Sequence, residues 1–330
     1  MARPLVVVSD FINPPLTHEE RILGDIADIV ALNAFSEEDL VGRIEEADAI
    51  MLYHFISITR KTIERLKKCR LIVRCGVGYD NVDRAYARER GINVANVPDY
   101  GSEEVADSAI GMMLTLMRGV HYLNSRCQHD QGPWIYEQVR PIQRLRGLTF
   151  GVIGIGRIGT ATALRAKAFG FQVVFYDPYV VDGTDKALGV RRCETLEELL
   201  RQSDVVSVHT PRTAETQHIL NDKTIAQMKP GSYLVNTARG GCVDAHAVLR
   251  AVEANHLRGA ALDVLEVEPP PADDPLIRAW RDPSHPAHDR IIINPHSAFY
   301  SEQGLDDMRI KWSENCRRVV LGQPPRNVVN

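Results

Sequence analysis

An apolar run, Leu148–Ile153, ends in Gly154-Ile-Gly156-Arg-Ile-Gly159 and passes straight into a helix-period stretch, Thr160–Phe169. This feature constrains the fold more than any other, because a strand that turns through glycine into a covering helix belongs to a parallel sheet. The rest of the chain repeats the theme. Strands are expected at Leu5–Ser9, Ala49–Tyr53, Leu71–Cys75 and Ile92–Val97. Amphipathic stretches at Thr59–Cys69 and Val82–Arg90 lie between them, and Gly91 is placed to stop the second. A long helix is expected from Ser102, with Val105, Ile110, Met113, Leu114 and Met117 on its apolar face. Gln128–Pro141, which carries Gly132, Pro133 and Trp134, reads as an irregular connection. The alternation then resumes more strongly, with strands at Thr149–Ile153, Gln172–Tyr176, Val205–His209, Tyr233–Asn236, Ala260–Val264 and Ile291–Asn294. Near-continuous apolar content suits strands buried on both faces.

At 330 residues the chain exceeds one ordinary core. The expected fold class is α/β, with two Rossmann-like doubly wound parallel sheets separated by an active-site cleft. Residues 102–300 form the nucleotide-binding Rossmann domain. The helical segment Ser301–Leu321 comes too late to extend that sheet and returns to the first domain. The substrate domain is therefore discontinuous, residues 1–101 and 301–330, and flavodoxin-like.

Composition narrows the class of partner. A formal charge of −4 argues against a direct nucleic-acid binder. No apolar run approaches bilayer length and no secretion signal is read, so a cytoplasmic location is expected, with no membrane partner. Six cysteines, at 69, 75, 127, 193, 242 and 316, form no CxxC pair and read as reduced structural thiols. His285 and His288 share a metal-like interval, but in a Pro-rich loop without cysteine, and no metal is expected.

The glycine motif carries chemistry as well as shape. Gly154 permits the turn, Gly156 lets backbone approach a pyrophosphate, and Gly159 allows close helix–strand packing. The pyrophosphate rests on the amides and positive dipole of the helix N-terminus. The following strand delivers Asp177, a carboxylate that can bond both ribose hydroxyls and repel a 2′-phosphate, which favours NAD over NADP. The plainer reading is an Asp that caps a turn before Pro178.

Three later strands end in polar residues: Asn236-Thr-Ala-Arg239-Gly-Gly, Asp263-Val-Leu-Glu-Val-Glu268-Pro and Asn294-Pro-His296-Ser-Ala. These residue types suit the interconversion of a small 2-keto and 2-hydroxy acid. Arg239 offers a planar fork for a carboxylate and a polarising charge for the carbonyl. His296 can give and take the proton, and Glu268 beside it fixes the ring and favours its charged form. Singly, each has a structural explanation: a surface pair, a solvated loop residue, a satisfied histidine. All three follow strands behind a dinucleotide fingerprint.

On these residues the chain resembles the D-isomer-specific 2-hydroxyacid dehydrogenase family over nearly its whole length. The resemblance rests on the glycine motif with Asp177, on Leu234-Val-Asn-Thr-Ala-Arg239-Gly-Gly, on Gly259-Ala-Ala-Leu-Asp263-Val with Glu268-Pro, and on Pro295-His296. It implies Arg239, Glu268 and His296 as the catalytic residues, and a carboxylate-binding backbone loop Cys75-Gly76-Val77-Gly78. To the cofactor set it adds Arg157, Ile158, Thr210, Thr237, Ala238 and Asp263. It also implies a homodimer in which the helix starting near Ser102 takes part. Within the family the likeness is to bacterial members of the C-terminal binding protein group, through Arg165–Tyr179, Gly78-Tyr-Asp-Asn-Val-Asp83 and Tyr300-Ser-Glu-Gln303. The animal corepressors of that group carry tryptophan just after the catalytic histidine, where this chain has Phe299, and their loop differs at Val97–Ser102.

Residues Tyr53–Thr59 bear on substrate. Phosphoglycerate dehydrogenases resemble this region but place arginines there, whereas this chain has no cation before Arg60. With Phe299, this points to an uncharged group on the C3 side of the substrate; Tyr53 and Phe55 packing the strand end is the alternative. Formate dehydrogenases of the superfamily carry glutamine where Glu268 stands. Competing functions are an NAD(H)-sensing corepressor-like binding protein and a phosphoglycerate dehydrogenase or hydroxypyruvate reductase.

Overall fold

The computed structural model describes residues 3–330, which divide into two compact units. One contains the chain up to Gly101 together with Tyr300–Asn330; the other is Ser102–Phe299.

The first unit is built on β1 (Leu5–Val8), β2 (Asp28–Ala31), β3 (Ala49–Leu52), β4 (Leu71–Arg74) and β5 (Asn93–Asn96). All pairings are parallel and the order is β2-β1-β3-β4-β5, that of flavodoxin-like sheets. Every residue of β3 and β4 is buried, as expected for interior strands. The sequence reading missed β2, an edge strand that alternates between exposed and half-buried positions and lacks the buried apolar run of its neighbours. The stretch expected as a helix over Thr59–Cys69 is shorter. Only Arg60–Ile63 is helical, because Lys67 N–H turns to Glu45 O at 3.1 Å and Arg70 N–H to Asp48 O at 2.9 Å, feeding the chain into β4.

Residues 300–330 complete this unit. The helix Glu302–Val320 is capped by the Ser301 hydroxyl and packs on helix Thr17–Leu23 and on β3 and β4. At that contact Glu19, fully buried, accepts from Arg309 at 2.9 and 2.6 Å and from Trp312 Nε1 at 3.1 Å. Beyond the helix the chain lies antiparallel to β5, with Val329 N–H to Val94 O at 2.8 Å and Asn96 N–H to Asn327 O at 3.1 Å.

The second unit holds β6 (Thr149–Ile153), β7 (Gln172–Tyr176), β8 (Arg191–Arg192), β9 (Val205–Val208), β10 (Ser232–Asn236), β11 (Leu257–Leu262) and β12 (Ile291–Ile293). They run parallel in the order β12-β11-β10-β9-β6-β7-β8. This is the dinucleotide-binding order extended by one strand, and the winding reverses between β6 and β9. Alternate residues of every strand but β8 feed two cores. Phe150, Val152, Phe175 and Val235 pack with Ala109, Met113 and Leu116 of helix Ser102–Arg118, whereas Ile153, Val174, Val206 and Leu234 pack with Val248 and Leu276. The missed β8 is a two-residue arginine edge with no apolar pattern. Strand β11 starts earlier than expected, at Leu257, because Gly259 interrupts the apolar pattern; a Cβ there would lie 2.8 Å from Arg290 O. The helix from Ser102 ends at Gly119, where φ is +63°, and a second helix, Val120–Gln128, buries no residue. Gln128–Pro141 is otherwise irregular, with one 3₁₀ turn at Tyr136–Val139.

Among the described residues no helix is long and apolar enough to cross a membrane, and no group of three His, Cys, Asp or Glu is placed to hold a metal ion. His285 faces Glu253 at 3.2 Å and His288 Nδ1 meets Trp280 O at 2.7 Å. The six cysteines are unbonded to one another, and burial pushes Cys69 up to about 12 and Cys193 up to about 11, well above the reactive range.

Candidate active site

Strand β6 delivers the glycine turn at the point where the winding of the second sheet reverses. Gly154 has φ +87°, and a Cβ on it would lie 2.9 Å from His209 O and 3.0 Å from Thr210 Cγ2. A Cβ on Gly159 would fall 2.0 Å from Gly154 O, so helix Arg157–Ala168 approaches the strand only because position 159 lacks a side chain. Nothing stands within 4 Å of a Cβ on Gly156, and no side chain caps the helix there. The helix begins at Arg157, earlier than the expected Thr160, so the exposed Arg157 and half-buried Ile158 lie in its first turn. Its first amides lack a side-chain acceptor, which suits an anion.

Asp177 follows β7. It does cap the turn, accepting Tyr179 N–H at 3.0 Å, and its second oxygen accepts Ile155 N–H at 3.0 Å, which ties it to the glycine loop. Thr237 follows β10 with its hydroxyl buried and without a partner, and Ala238 N–H bonds Asn236 Oδ1 at 3.0 Å. These features together fit a dinucleotide: an uncapped helix start beside an open glycine, a carboxylate at the next strand end, and an orphaned hydroxyl across the winding reversal. His209, between β9 and Thr210, was not singled out from sequence. Its Nε2 meets Ser207 Oγ at 2.8 Å, its Nδ1 is buried without a partner, and desolvation pushes the imidazole down to about 3.

The ends of β11 and β12 meet at Asp263. This buried carboxylate accepts Ser297 N–H at 2.9 Å and Ala298 N–H at 3.0 Å, while its carbonyl accepts His296 N–H at 2.8 Å. Burial raises its pKa above the ordinary carboxylate value. His296 is held with φ +52°, a left-handed conformation that histidine visits more readily than branched residues. Its Nδ1 lies 2.7 Å from Glu268 Oε2, and Glu268 Oε1 accepts Leu265 N–H at 2.8 Å. The Phe299 ring stands edge-on, 6.1 Å from the imidazole centre.

Half-buried Arg239 leaves β10 beside this pair of segments. Its Nη1 bonds Ala238 O at 2.8 Å and its carbonyl accepts Asn236 Nδ2 at 3.0 Å. A Cβ on Gly240 would lie 1.9 Å from the Leu265 carbonyl carbon, so the arginine segment packs backbone to backbone on the segment leading to Glu268.

Tyr53, Gly76, Val77 and Gly78 belong to the first unit. Gly76 has φ +147°, and a Cβ there would strike the Arg74 guanidinium at 1.7 Å. Val77 O accepts Asn96 Nδ2 at 2.8 Å, fixing the loop. Tyr53 stacks on Phe11 with centroids 4.0 Å apart and planes 7° apart, and Phe55 meets Phe11 edge-on at 5.4 Å. Asp10 accepts Tyr53 N–H at 2.8 Å and Phe55 N–H at 3.0 Å, and burial raises its pKa. The sequence reading missed Phe11, Asp10 and Arg74. A signal existed for Arg74, a cation ending an otherwise apolar strand.

The NAD binding domain of the D-isomer specific 2-hydroxyacid dehydrogenases, taken as a family model, matches residues 110–298, more than half of the chain. The chain is 35% identical over 326 residues to a D-3-phosphoglycerate dehydrogenase of Methanocaldococcus jannaschii, covering 98% of this chain and 60% of that one. It is 33% identical over 336 residues to C-terminal-binding protein 1 of Caenorhabditis elegans, covering 100% and 45%. The chain thus spans roughly half the length of these curated relatives. Among solved structures it is similar to the D-lactate dehydrogenase of Aquifex aeolicus complexed with NAD and lactic acid, with a TM-score of 0.85, 29% identity and 96% of each chain covered. The chain belongs to the D-isomer specific 2-hydroxyacid dehydrogenase family, and its second unit carries that family's NAD binding domain.

Proposed function

We propose that the chain is an NAD-dependent D-2-hydroxyacid dehydrogenase that interconverts a small 2-keto acid and its 2-hydroxy acid. The observation that carries this reading is the His296–Glu268 contact at 2.7 Å, held in place by the bond from His296 N–H to Asp263 O. NAD, when bound, supplies or accepts the hydride at C2. Gly154, Gly156 and Gly159 with the first turn at Arg157 and Ile158 would hold its pyrophosphate, Asp177 its adenosine ribose, and Thr210, Thr237, Ala238 and Asp263 the remainder. Arg239 holds the substrate carboxylate and polarises the carbonyl in this reading, and the Gly76–Gly78 loop of the first unit is the proposed carboxylate-binding backbone of that unit. With Nδ1 of His296 bonded to Glu268, this reading has the imidazole exchange the proton with the substrate oxygen through Nε2.

The group beyond C2 is uncharged in this reading. The stacked Phe11 and Tyr53, with Phe55 exposed beside them and no cation within Tyr53–Thr59, support an apolar substituent over a phosphate, with Arg74, 6.0 Å from the Tyr53 ring centre, bonded to Cys75 O at 3.0 Å. Turnover of a panel of 2-keto acids with NADH tests the proposal: keto acids with apolar C3 groups are expected to outrun hydroxypyruvate and its phosphate ester. No turnover of any keto acid would reject the enzyme reading, and NADH binding retained in that case would favour an NADH-responsive binding protein instead.

A homodimer working in the cytoplasm completes the proposal. Support for association comes from the exposed apolar residues Val120, Trp134, Ile135 and Tyr136, since exposed apolar clusters mark association surfaces. Sedimentation of the purified chain reads the assembly directly, and a monomer across the concentration range would reject it.

A further inference from the structure

Between Arg239 and Glu268 lies a polar cluster that the proposed chemistry does not use. Glu266, two residues before Glu268, meets two hydrogen-bond donors and one ion-pair partner. Gln217 Nε2 stands at 3.1 Å, His218 Nε2 at 2.9 Å and Arg212 Nη2 at 3.5 Å. Arg212 Nε in turn donates to Gln217 Oε1 at 2.9 Å. The segment that supplies these donors is bound to the arginine segment through backbone: His218 N–H to Gly241 O at 2.8 Å and Leu220 N–H to Cys242 O at 3.2 Å.

Two glycines make the assembly possible. A Cβ on Gly241 would lie 2.7 Å from Arg212 Nε and 3.0 Å from Gln217 Oε1, and one on Gly240 would lie 2.3 Å from Glu266 N. Three strand-end segments, residues 211–220, 239–243 and 264–268, therefore meet at one carboxylate within a single unit. We infer that Glu266 is a positioning residue: it locks the segment carrying Glu268 onto the segment carrying Arg239, so that the carboxylate-binding fork and the proton-transfer pair keep a fixed register.

The pairing is partly exposed, so its contribution to stability is small. Its value is geometric, because misplacement by about 1 Å lowers a rate on the order of 10²-fold. The ionised form of Glu266 is favoured, with the His218 bond as the largest cause. The inference rests on the proposed roles of Arg239, Glu268 and His296.

The test compares Glu266→Ala, Glu266→Gln, His218→Ala and the double variant Glu266→Ala/His218→Ala in the full chain. With the best keto acid of the panel, Glu266→Ala is expected to lower kcat on the order of 10²-fold while NADH affinity and the unfolding midpoint stay at wild-type values. Glu266→Gln, whose amide oxygen still accepts from Gln217, is expected to recover most of the loss. The double variant is expected to be no worse than Glu266→Ala, since the two residues act as one unit. A kcat for Glu266→Ala within about twofold of wild type, or losses that multiply in the double variant, would overturn the inference. A crystal structure of Glu266→Ala gives a readout independent of turnover. The Glu268–His296 contact should open beyond about 3.5 Å, and its retention overturns the inference even if the wild-type chain reduces no keto acid. Absence of wild-type turnover with the contact opened as expected would instead reject the enzyme reading alone.

Discussion

The left-handed backbone of His296 decides which substitution probes its chemistry cleanly. Asparagine tolerates φ near +52° as histidine does, so His296→Asn keeps the turn while removing the proton donor. Reduction should fall by about 10²–10⁴-fold in kcat/KM with NADH affinity retained, measured by stopped-flow and fluorescence titration. An unchanged rate would remove His296 from the mechanism. Asp177→Ala should narrow the preference for NADH over NADPH, read from the ratio of the two KM values. His209 has a different signature. Its imidazole is pushed down to about 3, so the unfolded chain binds a proton that the folded chain refuses. Its stabilising contribution is present above the ordinary value of 6.5 and is lost as pH falls toward 3, with a slope of about 1.4 kcal/mol per pH unit. Urea midpoints between pH 6.5 and 4 should flatten in His209→Gln, and an equal slope in both chains would show that another group carries the acid sensitivity.

At the scale of elements, the glycine turn separates folding from binding. Gly156→Ala meets open space and should leave the denaturation midpoint unmoved while weakening NADH binding. Gly159→Ala drives a methyl against Gly154 O and should destabilise by about 1–3 kcal/mol, checked by the same denaturation series. The contrast explains what was legible in the sequence. Interior strands β3, β4, β6 and β9 announce themselves because burial on both faces demands unbroken apolar runs. Edge strands β2 and β8 carry no such demand and were invisible. Candidate site residues that follow apolar runs, such as Asp177, Arg239 and His296, stand out for the same reason. Glu266 did not, because its partners come from residues 212–218, which no periodicity links to it. Phe11 stayed hidden because its role depends on a stacking geometry that only the folded sheet creates.

For the whole molecule, the buried Glu19–Arg309–Trp312 cluster joins the start of the chain to its return. Glu19→Ala leaves Arg309 without its carboxylate in a buried setting and should destabilise the first unit by about 3–5 kcal/mol. Because the second unit has its own two cores, it should remain folded and bind NADH after the first has melted. Denaturation of a Trp134→Phe/Trp280→Phe variant, in which Trp312 is the remaining tryptophan, followed separately by its emission and by NADH fluorescence, should then show two transitions. A single shared transition would mean that the units fold as one. A fragment of residues 102–299 should likewise bind NADH alone, whereas residues 1–101 without the return helix should not hold a fold.

The antiparallel cover that Asn327 and Val329 lay along β5 also has a consequence during synthesis. On the ribosome the unit begun first is finished last. Translation at about 5–20 residues per second leaves the β5 edge bare for about 10–40 s while residues 102–299 emerge and fold. During that interval the nascent chain carries an open row of peptide groups beside a half-built core. Chaperone capture should therefore concentrate on the N-terminal segment, whose β5 edge is the one left open to a neighbouring nascent chain.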